Sequence, residues 1–90
     1  MKFIYRVHAI ERMFQRNISD EMVENTIKNG KIIEEYIEDK PYPSFLVLDF
    51  SDTVPVHVVY AKNDFEYIVI TAYIPDTKKW MNHFETRREK

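Results

Sequence analysis

The chain has 90 residues, a net charge of −2, 44% hydrophobic residues, one glycine and no cysteine. This length and apolar fraction favour one folded domain over residues 1–90 and argue against disorder. No apolar run approaches the roughly 20 residues of a membrane helix, and the first residues do not resemble a secretory signal. The lack of cysteine excludes disulfides and thiolate metal sites. We therefore expect a soluble cytoplasmic protein with no membrane partner.

Charge is distributed unevenly along the chain. Residues 1–17 carry a net charge of +3, residues 18–52 one of −6 and residues 53–90 one of +1. A basic end beside an acidic middle favours a local anion-binding face. A general nucleic-acid coat is disfavoured, because that class needs a strongly basic domain.

The stretch HAIERMFQR, residues 8–16, has the periodicity of an amphipathic helix, with Asn17 as its expected C-terminal cap. Three apolar residues at helical spacing, with Met13 flanking them, predict the apolar face of this helix over residues 6–16: Val7, Ile10 and Phe14. Three polar side chains at intervals of four share another stripe: His8, Arg12 and Arg16. The polar stripe is either a solvated face or one wall of a site.

The following residues predict a second helix and then strands. Ser19 has the character of a helix N-cap, and Gly30 is expected to end the second helix at C′. The hydrophobic period then changes to two, which predicts four strands: residues 31–39, 44–50, 54–62 and 66–74. Residues 2–5 are either a short strand or a lead-in.

The tail from Thr77 is predicted to be a short C-terminal helix or an extended tail, since Trp80 and Phe84 have helical spacing. The short connections between the strands favour hairpins. The expected fold class is therefore α+β, with two N-terminal helices packed on a four-stranded antiparallel meander sheet.

A polar trio is predicted on the last two of these strands. A three-residue turn would pair Lys62 with Glu66 and set His57 opposite Thr71, with Tyr73 beside them. A turn one residue shorter or longer would change the register and separate the trio. An alternative interpretation is a core histidine hydrogen-bonded to a structural partner.

The cationic stripe of the first helix is the candidate complement of this trio. Imidazole and phenol exchange protons, and guanidinium binds anions. Together such groups suit metal-free cleavage of a phosphodiester, in which a base takes a 2′-hydroxyl proton, arginine stabilises the developing charge and an acid protonates the leaving oxygen. We expect no cofactor and no metal, because neither HxH nor HExxH spacing occurs.

Four segments, in this order and spacing, give the chain a family resemblance: HAIERMFQRNIS, NGKIIEEYIEDKPYPSFLVL, VPVHVVYA and ITAYIPDTKKW. The chain resembles domain of unknown function 4258 (DUF4258) along essentially its full length. The resemblance implies an α+β fold similar to the barnase- and RelE-like small ribonucleases, many of which are toxins of toxin–antitoxin pairs. It implies RNA, either mRNA or ribosome-bound, as substrate and an antitoxin of the zinc-finger or helix-turn-helix type as partner.

The resemblance also singles out residues. The family's polar pattern falls on six positions: His8, Arg12, Arg16, His57, Thr71 and Tyr73. Its closing motif includes Pro75, Asp76 and Trp80. We predict catalytic roles for His57, Tyr73, Thr71 and Arg12, and substrate binding by His8, Arg16, Lys78 and Trp80. The leading hypothesis is a toxin-like endoribonuclease, and the alternative is a non-catalytic module that binds an anion or a partner protein.

Overall fold

The computed structural model describes residues 1–88. In chain order its elements are β1 (Lys2–Tyr5), α1 (Val7–Gln15), α2 (Asp20–Asn29), β2 (Lys31–Tyr36), β3 (Ser44–Ser51), β4 (Val54–Lys62), β5 (Glu66–Tyr73), β6 (Trp80–Met81) and β7 (Thr86–Arg87). Strands β1 to β5 form one sheet in the order β1-β5-β4-β3-β2, and β6 pairs with β7 in a separate hairpin. The α+β class and the two N-terminal helices are confirmed.

The sheet differs from the prediction by one strand. Strands β2 to β5 form the expected antiparallel meander, but β1 adds a fifth strand that runs parallel to β5, so the sheet is mixed. Backbone hydrogen bonds hold both ends of β1, from Lys2 N–H to the Phe65 carbonyl and from Arg6 N–H to the Val69 carbonyl, each 3.1 Å. A parallel strand of four residues is not connected to its partner by a hairpin turn, so no turn residues mark it in the sequence. The sequence therefore does not distinguish a strand from a lead-in at residues 2–5.

The connection between the helices is a Schellman motif built on Asn17. Asn17 has a φ of 56°, Ile18 N–H donates to the Met13 carbonyl at 2.9 Å and Asn17 N–H to the Phe14 carbonyl at 3.4 Å. Ile18 and Met13 are both buried, so the turn also contributes to the core. The hydroxyl of Ser19 then accepts the Met22 N–H at 3.1 Å, which confirms the predicted N-cap.

Both helices cover the same face of the sheet, where they bury the main core. Its fully or nearly buried members are Ala9, Met13, Ile18, Val23, Ile27, Val47, Val56, Val58, Tyr60, Val69 and Ala72. In residues 1–88 neither helix has the length and apolar character needed to cross a membrane.

Of the predicted apolar face of α1, only the flanking Met13 packs on the sheet. Ala9 and Met13 are buried against the sheet, whereas Val7, Ile10 and Phe14 are 70%, 54% and 87% exposed. The helix has apolar residues on two adjacent stripes, and the stripe that packs is the one with Ala9. A methyl side chain lets the helix backbone lie close to β5, where a larger residue would hold it away.

Gly30 ends α2 for a different reason from the predicted one. Its backbone is extended, with a φ of −79°, so no left-handed conformation requires glycine. A Cβ at this position would lie 2.5 Å from the Thr26 carbonyl oxygen, 2.6 Å from the Leu48 carbonyl oxygen and 2.8 Å from Val47 Cγ2. Glycine is needed because the end of α2 approaches the backbone of β3 this closely.

Replacing Gly30 with alanine should therefore destabilise the fold by about 1–3 kcal/mol, because two backbone oxygens cannot move away from the new methyl group. Chemical denaturation of the Gly30→Ala variant measures this loss. The matched control is Asn29→Ala, one residue earlier on the exposed side of α2. Equal stability of Gly30→Ala and the wild type would contradict the close-approach explanation.

Candidate functional site

The register of the β4–β5 hairpin decides which side chains meet on the sheet. Lys62 pairs with Tyr67, Val59 with Thr71 and His57 with Tyr73. The predicted pairing of His57 with Thr71 is therefore wrong.

Two local features produce this register. The side-chain oxygen of Asn63 accepts the backbone N–H groups of Phe65 and Glu66, each at 2.8 Å, and organises a turn one residue longer than predicted. A bulge then leaves Ile70 without a cross-strand partner, so Thr71 and Tyr73 again face the same side of the sheet as His57. His57, Thr71 and Tyr73 consequently share one face even though their pairing differs from the prediction.

His57 is completely buried on the sheet face opposite the helices. Its Nε2 lies 2.8 Å from the Phe84 carbonyl oxygen and its Nδ1 3.2 Å from the Tyr73 hydroxyl oxygen. Because a carbonyl oxygen only accepts, Nε2 is the nitrogen that carries a hydrogen, and Nδ1 of the neutral ring accepts the hydrogen bond of Tyr73. Burial lowers the pKa of His57, although the hydrogen bond to Phe84 opposes this effect.

The C-terminal hairpin, residues 80–87, covers His57. The Trp80 ring meets the imidazole edge-on with centroids 4.4 Å apart, and Phe84 supplies the carbonyl acceptor. The C-terminal segment therefore forms neither the predicted short helix nor an extended tail, because Trp80 and Phe84 reach the same histidine across a hairpin turn. That turn places Asn82, His83 and Phe84 in the left-handed region, with φ values of 54°, 55° and 71°.

An open cleft of about 360 Å³ lies beside the buried histidine. Its lining comes from the end of α1, the end of β5, the following turn and the C-terminal hairpin: Arg16, Tyr73, Ile74, Asp76, Lys79, Trp80 and Arg87. This volume is in the range of small-ligand sites. Three cationic side chains and one carboxylate give the lining a net positive charge, which favours an anion.

Tyr73 connects the cleft with His57, and Arg16 is fixed beside it. Burial raises the pKa of Tyr73, so the phenol stays protonated at neutral pH. The Nη1 group of Arg16 donates to the Ala72 carbonyl at 2.9 Å. This hydrogen bond holds the guanidinium at the mouth of the cleft and leaves its other donors for a ligand.

Arg87 is anchored to the sheet by Glu34. Its Nε and Nη2 donate to the two carboxylate oxygens at 2.9 and 3.2 Å, and its guanidinium carbon lies 4.7 Å from the centre of the Trp80 ring. Burial raises the pKa of Glu34, but hydrogen bonds from Tyr36 and Arg87 outweigh it and lower that pKa. The pair stays ionised at neutral pH and fastens the hairpin to β2.

The structure brings only part of the predicted site together. Tyr73, Arg16 and Trp80 line the cleft, and His57 lies directly behind Tyr73. Thr71 is half-buried opposite Val59.

The other predicted residues lie outside the cleft lining of the described chain. His8 and Arg12 are exposed on α1, where His8 lies 3.6 Å from Glu11 and Arg12 donates to Gln15 at 3.3 Å. Lys78 is exposed in the turn after β5. The predicted meeting of the α1 stripe with His57 is wrong, because α1 packs on one face of the sheet and His57 lies on the other; only Arg16, at the C-terminal end of α1, reaches the cleft.

Three lining residues were not predicted as site residues: Asp76, Lys79 and Arg87. Asp76 and Lys79 fall in the segment PDTKKW, whose turn character was a usable signal. No local sequence signal pointed to Arg87, because its partner Glu34 lies 53 residues away in sequence. Within residues 1–88 no three side chains of the histidine or acidic type form a metal-binding group.

The family model for DUF4258, a domain of unknown function, matches residues 5–74. The chain belongs to the DUF4258 family. The matched DUF4258 segment contains Arg16, His57 and Tyr73 and ends before the turn and hairpin that complete the cleft. No curated protein and no solved structure matches the chain.

The burial of His57 predicts a specific acid sensitivity. Its pKa lies below the ordinary value of 6.5 in the folded protein, so between that lowered pKa and about 6.5 the unfolded chain binds more protons. The contribution of neutral His57 is fully present above about pH 6.5 and is lost as the pH falls below it. Chemical denaturation of the wild type between pH 8 and pH 5 should show this loss.

The His57→Gln variant should lose the part of this pH dependence that lies just below pH 6.5. The matched control is His8→Gln, because His8 is exposed on α1 and its replacement should leave the dependence unchanged. The same slope in His57→Gln and the wild type would show that His57 does not cause it.

Proposed function

We propose that this DUF4258 protein is a toxin-like endoribonuclease that cleaves RNA without a metal ion. The observation that carries the proposal is the cleft, in which Arg16 and Lys79 lie beside a phenol, Tyr73, that His57 holds from behind. Cations bind the phosphate and stabilise the charge that develops on it. A protonated phenol supplies the proton that the leaving oxygen needs.

Tyr73 is the general acid of this proposal. Its pKa is raised by burial, which keeps the phenol protonated. The proton that it gives to the leaving oxygen is the one that hydrogen bonds to Nδ1 of His57 before the substrate binds. His57 is buried and cannot touch a substrate, so its role is that of a positioning residue. This differs from the sequence-based hypothesis, in which His57 was itself a catalytic group.

Exposed polar side chains outside the cleft lining extend the surface on which an RNA strand can lie. Arg12 and His8 precede Arg16 by one and two helical turns, and four residues of helix rise about 6 Å. Lys78 is exposed beside Lys79 on the other side. The charges of Arg12 and Lys78 and the ring nitrogens of His8 offer hydrogen bonds to successive phosphates, which suits single-stranded or ribosome-bound RNA in the cytoplasm.

A second candidate is a non-catalytic module that holds an anion in the same cleft. The observation in its favour is that both ring nitrogens of His57 are engaged inside the protein and that Arg87 is paired with Glu34. On this alternative the cationic lining binds RNA or another anionic partner without turnover.

Incubation of the purified protein with single-stranded RNA in EDTA separates the two candidates. The wild type should cleave, and Tyr73→Phe should lower kcat by about 10²–10⁴-fold, because the general acid is removed while the ring remains. Tyr42→Phe is the matched control, since Tyr42 lies in the loop between β2 and β3.

Each other result of this experiment has a clear meaning. Binding of RNA without cleavage by the wild type would favour the non-catalytic module, and Arg16→Ala should then weaken that binding. Equal kcat for Tyr73→Phe and Tyr42→Phe would remove Tyr73 from the mechanism. No binding and no cleavage would contradict both candidates.

We also propose that the exposed apolar stripe of α1, formed by Val7, Ile10 and Phe14, binds the antitoxin. Val7, Ile10 and Phe14 are 70%, 54% and 87% exposed, and a contiguous exposed apolar patch marks a protein-interaction site. None of these three residues lines the cleft, so a partner can bind the stripe without replacing a cleft contact. An amphipathic helix or a small zinc-finger or helix-turn-helix protein fits such a surface.

Induced expression should arrest growth, and co-expression of the protein encoded by the adjacent gene should relieve the arrest. Phe14→Ser should abolish the relief and leave RNA cleavage unchanged, because it removes apolar contact area and alters no residue that lines the cleft. The control is Phe65→Ser in the β4–β5 turn, where phenylalanine is 78% exposed. Relief that survives Phe14→Ser would exclude α1 as the binding surface.

A further inference from the structure

We infer that Asp76 is the general base of the cleft and takes the proton of a ribose 2′-hydroxyl. The substrate class that follows is RNA with an internal phosphodiester next to a free 2′-hydroxyl, cleaved to a 2′,3′-cyclic phosphate and a 5′-hydroxyl. This inference rests on the proposed ribonuclease function. That proposal assigns residues to the general acid and to phosphate binding but none to the general base.

The chemistry of the cleft lining leads to Asp76. Arg16, Lys79 and Arg87 are cations without an acceptor, and tryptophan offers only a donor. Tyr73 keeps its proton because burial raises its pKa. Among the side chains that line the cleft in residues 1–88, the carboxylate of Asp76 is the one group that can accept a proton.

The turn after β5 fixes the orientation of this carboxylate. Its Oδ1 accepts the backbone N–H of Lys78 at 2.9 Å, and the Asp76 carbonyl accepts the N–H groups of Lys79 and Trp80 at 2.9 and 3.0 Å. With Oδ1 held by the turn, Oδ2 is the oxygen that receives the proton. A base fixed by its own turn needs no rearrangement when the substrate arrives.

His57 does not compete for this role. It is fully buried, its Nε2 hydrogen bonds to the Phe84 carbonyl and its Nδ1 lone pair is taken by the Tyr73 hydroxyl. A base must lie within hydrogen-bond reach of the proton that it abstracts, directly or through one water. Asp76, which is exposed at the cleft, meets this condition.

The resulting step is balanced. Asp76 removes the 2′-hydroxyl proton as the 2′-oxygen forms a bond to phosphorus, and the bond from phosphorus to the 5′-oxygen breaks. The Tyr73 O–H turns from Nδ1 of His57 to the departing 5′-oxygen and gives it the proton, while Arg16 and Lys79 face the charge on the non-bridging oxygens. The protonated Asp76 then loses its proton to water and the Tyr73 phenolate regains one from water, which restores the starting state.

The Asp76→Asn variant tests the inference, because its side-chain oxygen can still accept the Lys78 N–H and preserve the turn. With a single-stranded RNA substrate, Asp76→Asn should lower kcat by about 10²–10⁴-fold with KM little changed. Its affinity for the same strand carrying 2′-deoxyriboses should be no lower than that of the wild type, because the substitution removes a negative charge from the cleft. The matched control is Asp64→Asn in the exposed β4–β5 turn, which should keep the wild-type kcat and KM.

Failure of the inference and failure of the proposed function give different results. If the wild type cleaves RNA and Asp76→Asn keeps the wild-type kcat, or changes only KM, Asp76 is not the base although the ribonuclease function stands. Wild-type products with 3′-hydroxyl and 5′-phosphate ends would also overturn the inference, because no 2′-hydroxyl attack produces them. A wild type that cleaves no RNA would overturn the ribonuclease function and the role of Asp76 together.

Discussion

The hydrogen bonds of one buried histidine hold the candidate site together. His57 projects from the middle of β4 and joins two parts of the chain that the sheet itself does not connect, the Phe84 carbonyl of the C-terminal hairpin and the hydroxyl of Tyr73. An unpaired imidazole at this depth would be costly, so these two hydrogen bonds make its burial possible. The hairpin in turn contributes Trp80 and Arg87 to the wall of the cleft.

Burial contributes more than ion pairing to holding the hairpin on the sheet. The pairs Arg87–Glu34 and Lys31–Glu85 lie at the surface, where such pairs stabilise by about 0–1 kcal/mol each. Trp80 is only 4% exposed, and burying a large aromatic side chain is worth several times as much. The ion pairs then fix the position of the hairpin along β2.

The two faces of the sheet have different roles: one forms the core and the other carries the candidate site. The helix side forms an apolar core, while the other side combines aliphatic residues with His57 and carries the cleft at its end. Alternation along β4 separates these roles, because Val56 and Val58 point into the helix-side core and His57 between them points the other way. The bulge at Ile70 keeps Tyr73 on the same side as His57, so a change of one residue in β5 determines whether the phenol faces the cleft.

Local chemistry in the sequence determined the helices, the meander and the polar character of one sheet face. Caps such as Ser19 and the period-two pattern of β4 act over a few residues, so they can be predicted without knowing the fold. Tertiary structure decided the remainder. Ala9 packs on the sheet in place of the larger apolar residues of α1. A bulge in β5 changes the register of the β4–β5 hairpin, and contacts between distant segments place Arg87 beside Trp80. Such choices depend on close approach between elements far apart in the chain, and that information is absent from any local pattern.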